Sequence, residues 1–398
     1  MKQCVIVMGV AIWLGVPSGF AQTPADKPNI VFILADDMSF DSVSANNPKM
    51  GTLKTPHIDR LISQGMNFTD AHSGSAVCTP TRYGLLTGRY CWRTPLKNSV
   101  LWDWAAPLIK PDRLTVAEIL QQQGYATGMV GKWHLGTMTA DFSGKGKGRK
   151  PQKNHMTPDM AGFDEWFATE YAVATWDPYD KDNAHGRSDP RSLYWHNGRN
   201  IVDGPAEGLI GCDSRIIMDK ALPFIEGAVQ QETPFFVVIW FHAPHAPVVG
   251  GPSYRAGYAE QDENRQHYYA VVTALDEQVG RLRQKLRDRN VADNSMLWFC
   301  SDNGPEGNPG PKQRYQGSAG PFRGRKRSLY EGGVRVPGLL EWPARISASR
   351  VTDFPAVTRD YFPTVLEVLG YQIPTTKLRP YDGVSVLGVI EGKVTERP

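Results

Sequence analysis

Two polar pairs, Asp36-Asp37 and Asp302-Asn303, each follow an apolar run and offer only oxygen donors. That is the ligand set of a hard divalent cation such as calcium or magnesium rather than zinc. Taken alone, Asp36-Asp37 reads as readily as a turn or a helix cap, and Asn303-Gly304 as a hairpin turn. Gly131-Lys132-Trp133-His134-Leu135-Gly136 sets a cation and an imidazole two residues apart. Alternation in an extended segment puts both on one side, where they can face one anionic group. Phe241-His242-Ala243-Pro244-His245-Ala246-Pro247 supplies two more imidazoles, and Arg323, Arg325, Lys326 and Arg327 form a basic cluster. In Cys78-Thr79-Pro80-Thr81-Arg82 a cysteine precedes a proline by two residues and an arginine by four.

That last run, set in Ser-Gly-Ser-Ala-Val-Cys-Thr-Pro-Thr-Arg-Tyr-Gly-Leu-Leu-Thr-Gly-Arg, resembles the modification signature of the formylglycine-dependent sulfatases, the arylsulfatase-like type I enzymes of the alkaline phosphatase superfamily. The other motifs match the same family in the expected order, so the resemblance covers most of the chain. It implies that Cys78 is oxidised to formylglycine (3-oxoalanine), whose hydrate is the nucleophile. It implies further that Asp36, Asp37, Asp302 and Asn303 hold one calcium ion together with an oxygen of modified Cys78. Arg82 and Lys132 would stabilise the hydrate and His134 would help to deprotonate it. His245, in the Pro-His-x-Pro pattern, and Lys326 would contact the sulfate ester, with His245 as the acid for the leaving alcohol; His242 reads as structural. Arg325 and Arg327 stand where the family commonly has small residues, which makes this site more basic.

The charge of the reaction explains the crowd of cations. A sulfate ester is an anion attacked by an oxygen nucleophile, so fixed positive groups and a metal are needed to offset the charge that develops. The expected substrate is a sulfated carbohydrate, and the expected maturation partner a formylglycine-generating or anaerobic sulfatase-maturating enzyme. Two other readings remain open: a phosphomonoester or phosphodiester hydrolase of the same superfamily, and a sulfoglycan-binding protein without turnover if Cys78 stays a thiol.

The elements that must position these groups follow from patterning. Asn29 to Ala35 is a continuous apolar run, the signature of a strand buried on both faces, and it delivers Asp36-Asp37 at its carboxyl end. Thr55 to Gly65 and Leu114 to Gly124 read as capped helices, and Tyr125 to Val130 as a strand. Further strands are expected at Phe235 to Phe241 and Met296 to Cys300, with a charged helix over His267 to Arg289 between them. Alternating strands and helices predict an α/β, alkaline-phosphatase-like sandwich with a large, mostly parallel sheet. In such sheets functional groups gather beyond the carboxyl ends of the strands. From Gly136 to about Asn200 the periodicity fades into Gly, Pro, Asp and aromatic residues, read as an elaborated loop over the site. Trp102, Trp104, Trp176 and Trp195 are candidates to stack on sugar rings.

The 398 residues carry 41% hydrophobic and 21% charged residues, ordinary for a packed globular chain. Residues 1–21, a basic start, a short apolar run and a small-residue end, read as a secretory signal peptide, predicting export to the periplasm or medium if the source is bacterial. No later stretch is apolar for long enough to serve as a membrane anchor. A net charge of +3 is too small to suggest a nucleic-acid partner, although Lys145, Lys147, Arg149, Lys150 and Lys153 form a basic loop that could grip a polysulfated chain. Cys91, Cys212 and Cys300 read as small buried residues rather than a disulfide scaffold. Residues 22–345 are the expected catalytic domain. Because such sulfatases usually continue beyond the Asp382-Gly383-Val384-Ser385 region, residues 346–398 are expected to form a reduced or truncated C-terminal subdomain.

Overall fold

Asn29–Ala35, the run read as a doubly buried strand, is β1 and lies in the middle of a ten-stranded sheet. The computed structural model describes residues 27–47, 51–102, 105–139, 155–183, 193–307, 314, 317–374 and 380–398. The signal segment 1–21, the basic loop Lys145 to Lys153 and Trp104 lie outside the described residues. In chain order the strands are β1, β2 (Met66–Phe68), β3 (Ala71–His72), β4 (Ala126–Lys132), β5 (Glu165–Thr169), β6 (Trp195–His196), β7 (Arg199–Asn200), β8 (Phe235–Trp240), β9 (Ser295–Ser301), β10 (Gly338–Glu341), β11 (Arg350–Thr352) and β12 (Ala356–Val357). The helices are α1 (Pro56–Gln64), α2 (Cys78–Thr87), α3 (Val116–Gln122), α4 (Asp213–Gln230), α5 (Pro252–Ala256), α6 (Glu263–Asp288), α7 (Glu331–Val334), α8 (Tyr361–Val368) and α9 (Leu387–Ile390).

The large sheet runs β11-β2-β10-β9-β1-β8-β4-β5-β6-β7, and its central block β9-β1-β8-β4-β5 is parallel. Alternation divides β1 between two cores. Ile30, Phe32 and Leu34 face one with Trp240, Trp298 and residues of α2, α3 and α8. Val31, Ile33 and Ala35 face the other with Ile239, Phe299 and residues of α1, α4 and α6. This is the three-layer arrangement expected of βα alternation.

The parallel register brings four strand ends to one edge. Ala35 pairs with Ser301, Leu34 with Trp240 and Trp240 with Gly131, so Asp36-Asp37, Asp302-Asn303, His242 and Lys132 all leave the sheet side by side. Gly131 permits this closeness. It holds φ 106°, and a Cβ there would lie 1.9 Å from the Trp240 carbonyl oxygen, so no side chain fits.

Two sequence expectations change. The stretch read as loop between Gly136 and Asn200 contains β5, which pairs with β4 through Thr169, and the hairpin β6-β7 at the sheet edge. Its strand character is carried by the short buried run Trp166, Phe167 and Ala168, too brief to show a period among its polar neighbours. Trp195, offered as a sugar-stacking residue, is 6% exposed and belongs to the core.

Candidate active site

The first residue of α2 is Cys78, so the helix points its amino end at the sheet edge. Pro80 is tolerated because amides in the first turn have no partner within the helix. The two threonines of the motif tie the helix to the strand ends. Thr79 Oγ1 donates to the His134 carbonyl at 3.0 Å, and Thr81 Oγ1 to the Asp302 carbonyl at 2.7 Å. One turn on, Arg82 lies on the same face as Cys78.

Asp36 is the pivot. Its Oδ2 accepts from Lys132 Nζ at 2.5 Å and from Arg82 Nη2 at 3.1 Å, and its Oδ1 accepts from Cys78 Sγ at 3.4 Å. The same Arg82 Nη2 donates to Asp302 Oδ2 at 2.8 Å. Asp37 pairs with Lys326 Nζ at 2.7 Å and accepts from Asn303 Nδ2 at 2.7 Å, and its Oδ2 lies 3.7 Å from His245 Nε2. Asp36, Asp37 and Asp302 are all buried. Burial alone would raise Asp36, yet Lys132, His245, Arg82 and Lys326 hold it well below the ordinary carboxylate range. Burial, only partly offset by Lys326 and reinforced by Asp36 and Asp302, pushes Asp37 up to about 7. Burial and Asp36 also raise Asp302.

Lys132, Arg82 and Lys326 match the three carboxylates in number, yet Asp37 and Asp302 stay raised by burial, so the acids still call for further positive charge. One atom shows where such charge would fit: Asn303 Oδ1 is buried and accepts no hydrogen bond among the described residues. Oxygen donors from Asp36, Asp37, Asp302 and Asn303 suit a hard divalent cation. Asp36, Asp37, Cys78 and His245 also each bring a ligand atom within 4.8 Å of the others. His245 therefore stands closer to the acidic cluster than its motif alone indicated.

Burial pushes the Cys78 thiol well above its usual range, and Asp302 and Asp36 add to the effect. As a thiol it would not ionise near neutral pH, so it is a poor nucleophile in this setting. Lys326 keeps its proton tightly, because Asp37 and neighbouring acids overcome the cost of its burial. His245 Nδ1 donates to the Ala246 carbonyl at 2.6 Å, which leaves Nε2 turned towards Asp37. Burial and the nearby Lys326 and Lys132 hold this imidazole well below its ordinary value.

The sequence motifs thus converge on one place, with one local difference. The alternation expected to carry both Lys132 and His134 ends at Lys132: His134 has φ 53°, so the chain turns there. Its ring packs against Tyr171, and neither ring nitrogen has a hydrogen-bond partner among the described residues. His242, read as structural, is buried and held between Asp213 Oδ2 at 2.8 Å and Thr169 Oγ1 at 2.7 Å. Within the basic cluster, Lys326 reaches Asp37, whereas Arg325 binds the carbonyls of Glu306 and Gly317. Sequence reasoning missed Glu306, which lies 3.6 Å from Lys326 Nζ and pairs with Arg327, and it missed Asp213. For Glu306 the only available signal was an acid just beyond Asp302-Asn303, matching the later basic run.

The loop bearing His245 is pinned at its far end by buried His267, whose Nδ1 accepts the Gly250 amide at 2.9 Å. Burial, with Arg314 and Arg255 nearby, pushes this imidazole down to about 4. A histidine with a folded pKa below its unfolded one contributes stability that is full above the unfolded pKa of about 6.5 and is lost as pH falls through the folded value. Urea denaturation is therefore expected to show stability falling between about pH 6.5 and pH 4. His267→Gln, which keeps an acceptor but does not titrate, should flatten that slope; an unchanged slope would contradict the assignment.

A buried cysteine at a helix start, four converging strand ends, an acidic cluster and fixed lysines define an anion-handling hydrolase site on an α/β sandwich. The family model described as Sulfatase matches residues 28–371, and the chain belongs to the sulfatase family, within the alkaline phosphatase superfamily. It is a sulfuric ester hydrolase. Arylsulfatase G of Rattus norvegicus is 32% identical over 403 residues, covering 94% of this chain and 70% of the relative. N-acetylgalactosamine-6-sulfatase of Sus scrofa is 32% identical over 393 residues, covering 96% and 70%. Among solved structures, Ps i-CgsB in complex with a neocarrahexaose aligns with TM-score 0.74 and 26% identity over 92% of this chain and 77% of that one. Phosphonate monoester hydrolase of Agrobacterium radiobacter, at 18% identity and TM-score 0.57 over 94% of this chain and 78% of that one, shares the fold.

Proposed function

We propose that this sulfatase cleaves sulfate monoesters of a sulfated carbohydrate, using a formylglycine formed from Cys78 and a calcium ion held by Asp36, Asp37, Asp302 and Asn303. The observation that carries this reading is the buried Asn303 Oδ1 without a partner among the described residues, set among three carboxylates beside Cys78. Formylglycine supplies the attacking oxygen and the cation supplies positive charge at the transferring group. The chain's own residues do the rest. Lys132 and Arg82 fix Asp36, and so orient the cysteine position against the strand ends. Lys326 carries a permanent charge to the side of the site where Asp37 and His245 lie. With Nδ1 anchored on the Ala246 carbonyl, His245 turns Nε2 to the site; a bound anionic substrate would favour the imidazolium, whose Nε2 proton would then pass to the departing alcohol oxygen. His134, with neither ring nitrogen engaged among the described residues, is available to take a proton at the cysteine position.

Maturation by a formylglycine-generating or anaerobic sulfatase-maturating enzyme, and export by the N-terminal segment, belong to the same proposal. Among the described residues no helix is long and apolar enough to cross a membrane. A carbohydrate substrate is supported by relatives such as N-acetylgalactosamine-6-sulfatase and Ps i-CgsB with its neocarrahexaose. Steady-state turnover of an aryl sulfate and the matched aryl phosphates tests the reaction. Faster sulfate release is expected, and faster phosphate release would overturn the reading. A screen of defined sulfated sugars then identifies the substrate.

A further inference from the structure

The cation that follows Lys326 takes no part in the scheme above. Lys326 has a side chain 4% exposed, whereas that of Arg327 is 62% exposed. Both nevertheless meet at one carboxylate. Glu306 Oε2 lies 3.6 Å from Lys326 Nζ and 3.1 Å from Arg327 Nη2, while Glu306 Oε1 accepts from Arg327 Nη1. The guanidinium therefore stands one carboxylate outward from the ammonium that touches Asp37. The Arg327 amide donates to the Ala76 carbonyl at 2.9 Å, two residues before Cys78, so the residue borders the nucleophile's own loop. Its neighbours are occupied differently: Arg325 is bound to backbone carbonyls, and Arg323 lies over the Tyr330 ring at 4.0 Å.

Arg327 also holds φ 73°, a left-handed conformation that glycine adopts freely and a residue with a Cβ adopts at a cost. The backbone here would be better served by glycine. What arginine adds is its side chain, a rigid fork of five donors of which Glu306 engages two, in a geometry suited to a planar or tetrahedral oxyanion.

We propose that Arg327 binds a second anionic group of the substrate, a sulfate or carboxylate on the same or the adjoining sugar, while Lys326 serves the ester being cleaved. This rests on reading the Cys78 site as that of a carbohydrate sulfatase. It makes the enzyme selective for sugars carrying two neighbouring charges, with Glu306 setting the spacing between the two cations.

The test is calorimetric titration of the full chain in a Cys78→Ala background, which binds without turnover, with and without Arg327→Gly. The ligands are monosulfated hexosamines and the same sugars bearing a second sulfate. The Arg327-containing protein should bind at least one disulfated sugar about tenfold more tightly than its monosulfated counterpart, the scale of one charge-assisted contact. Arg327→Gly should abolish that preference, with a melting temperature unchanged or raised because the left-handed residue is relieved. Equal affinity for the two sugars would overturn this inference alone. So would an Arg327→Gly protein that melts lower yet keeps the preference, since Arg327 would then be only a clamp for Glu306. Failure to bind any of the sugars would overturn both this inference and the carbohydrate reading beneath it.

Discussion

Replacing Cys78 with alanine is expected to reduce sulfate release by on the order of 10⁴-fold or more, the scale seen when an enzyme loses its nucleophile. Stability should change little, by under about 1 kcal/mol, because the thiol makes a single long contact, 3.4 Å to Asp36 Oδ1. The physical argument is one of position and chemistry together. Cys78 sits at the start of α2, within reach of Asp36 and flanked by Lys132 and Lys326, yet burial holds its thiol protonated. On the proposed mechanism, a group so placed acts after its sulfur has been exchanged for oxygen. Kinetics with an aryl sulfate and thermal denaturation on the same preparations check both halves. A Cys78→Ala protein that keeps even a tenth of the activity would remove the residue from the mechanism.

Asp36→Asn is expected to damage both fold and function. Its carboxylate is wholly buried and answers Lys132 and Arg82, which are themselves buried. Among the described residues, neutralising it leaves Lys132 without its ion-pair partner and Arg82 with Asp302 as its one ion-pair partner, beside its hydrogen bond to the Lys132 carbonyl. Removing one partner from a buried ion pair typically costs about 3–5 kcal/mol. The same cations depress the pKa of Asp36, so stability from this group is present above the ordinary carboxylate pKa and fades as pH falls below it. In wild-type protein, calcium at a hundred times its dissociation constant should add about 2.7 kcal/mol to unfolding free energy relative to chelator. Asp36→Asn should lose most of that increment at the same calcium concentration. Urea titrations with and without calcium measure both effects, and an unaltered calcium increment would exclude Asp36 as a ligand.

The parts of this site that could be read from sequence share a cause. β1, β8 and β9 are buried on both faces, so they appear as unbroken apolar runs, and whatever polar residues follow them must lie at the sheet edge. That logic located Asp36-Asp37, His242 and His245, and Asp302-Asn303, and the resemblance to the sulfatase modification signature located Cys78 and Arg82. The burial of Cys91, Cys212 and Cys300 outside any disulfide was likewise legible, from residue type and number. Other features were set by tertiary contact and left no local trace. β5 is a strand because β4 offers it an edge and two cores take Trp166 and Phe167, not because its five residues carry a period. His134 departs from strand alternation through a single positive φ. Glu306 and Asp213 gain their roles from partners distant in the chain, Lys326 and His242.

The central claim is that Cys78 is the precursor of the attacking group, and its chemical state in active protein tests that claim most directly. Peptide mass spectrometry of the segment containing Cys78, on protein from its native host that releases sulfate, should show a residue that has lost the elements of hydrogen sulfide and gained one oxygen, reactive towards carbonyl reagents. Finding Cys78 entirely as thiol in protein that still hydrolyses sulfate esters would contradict the account.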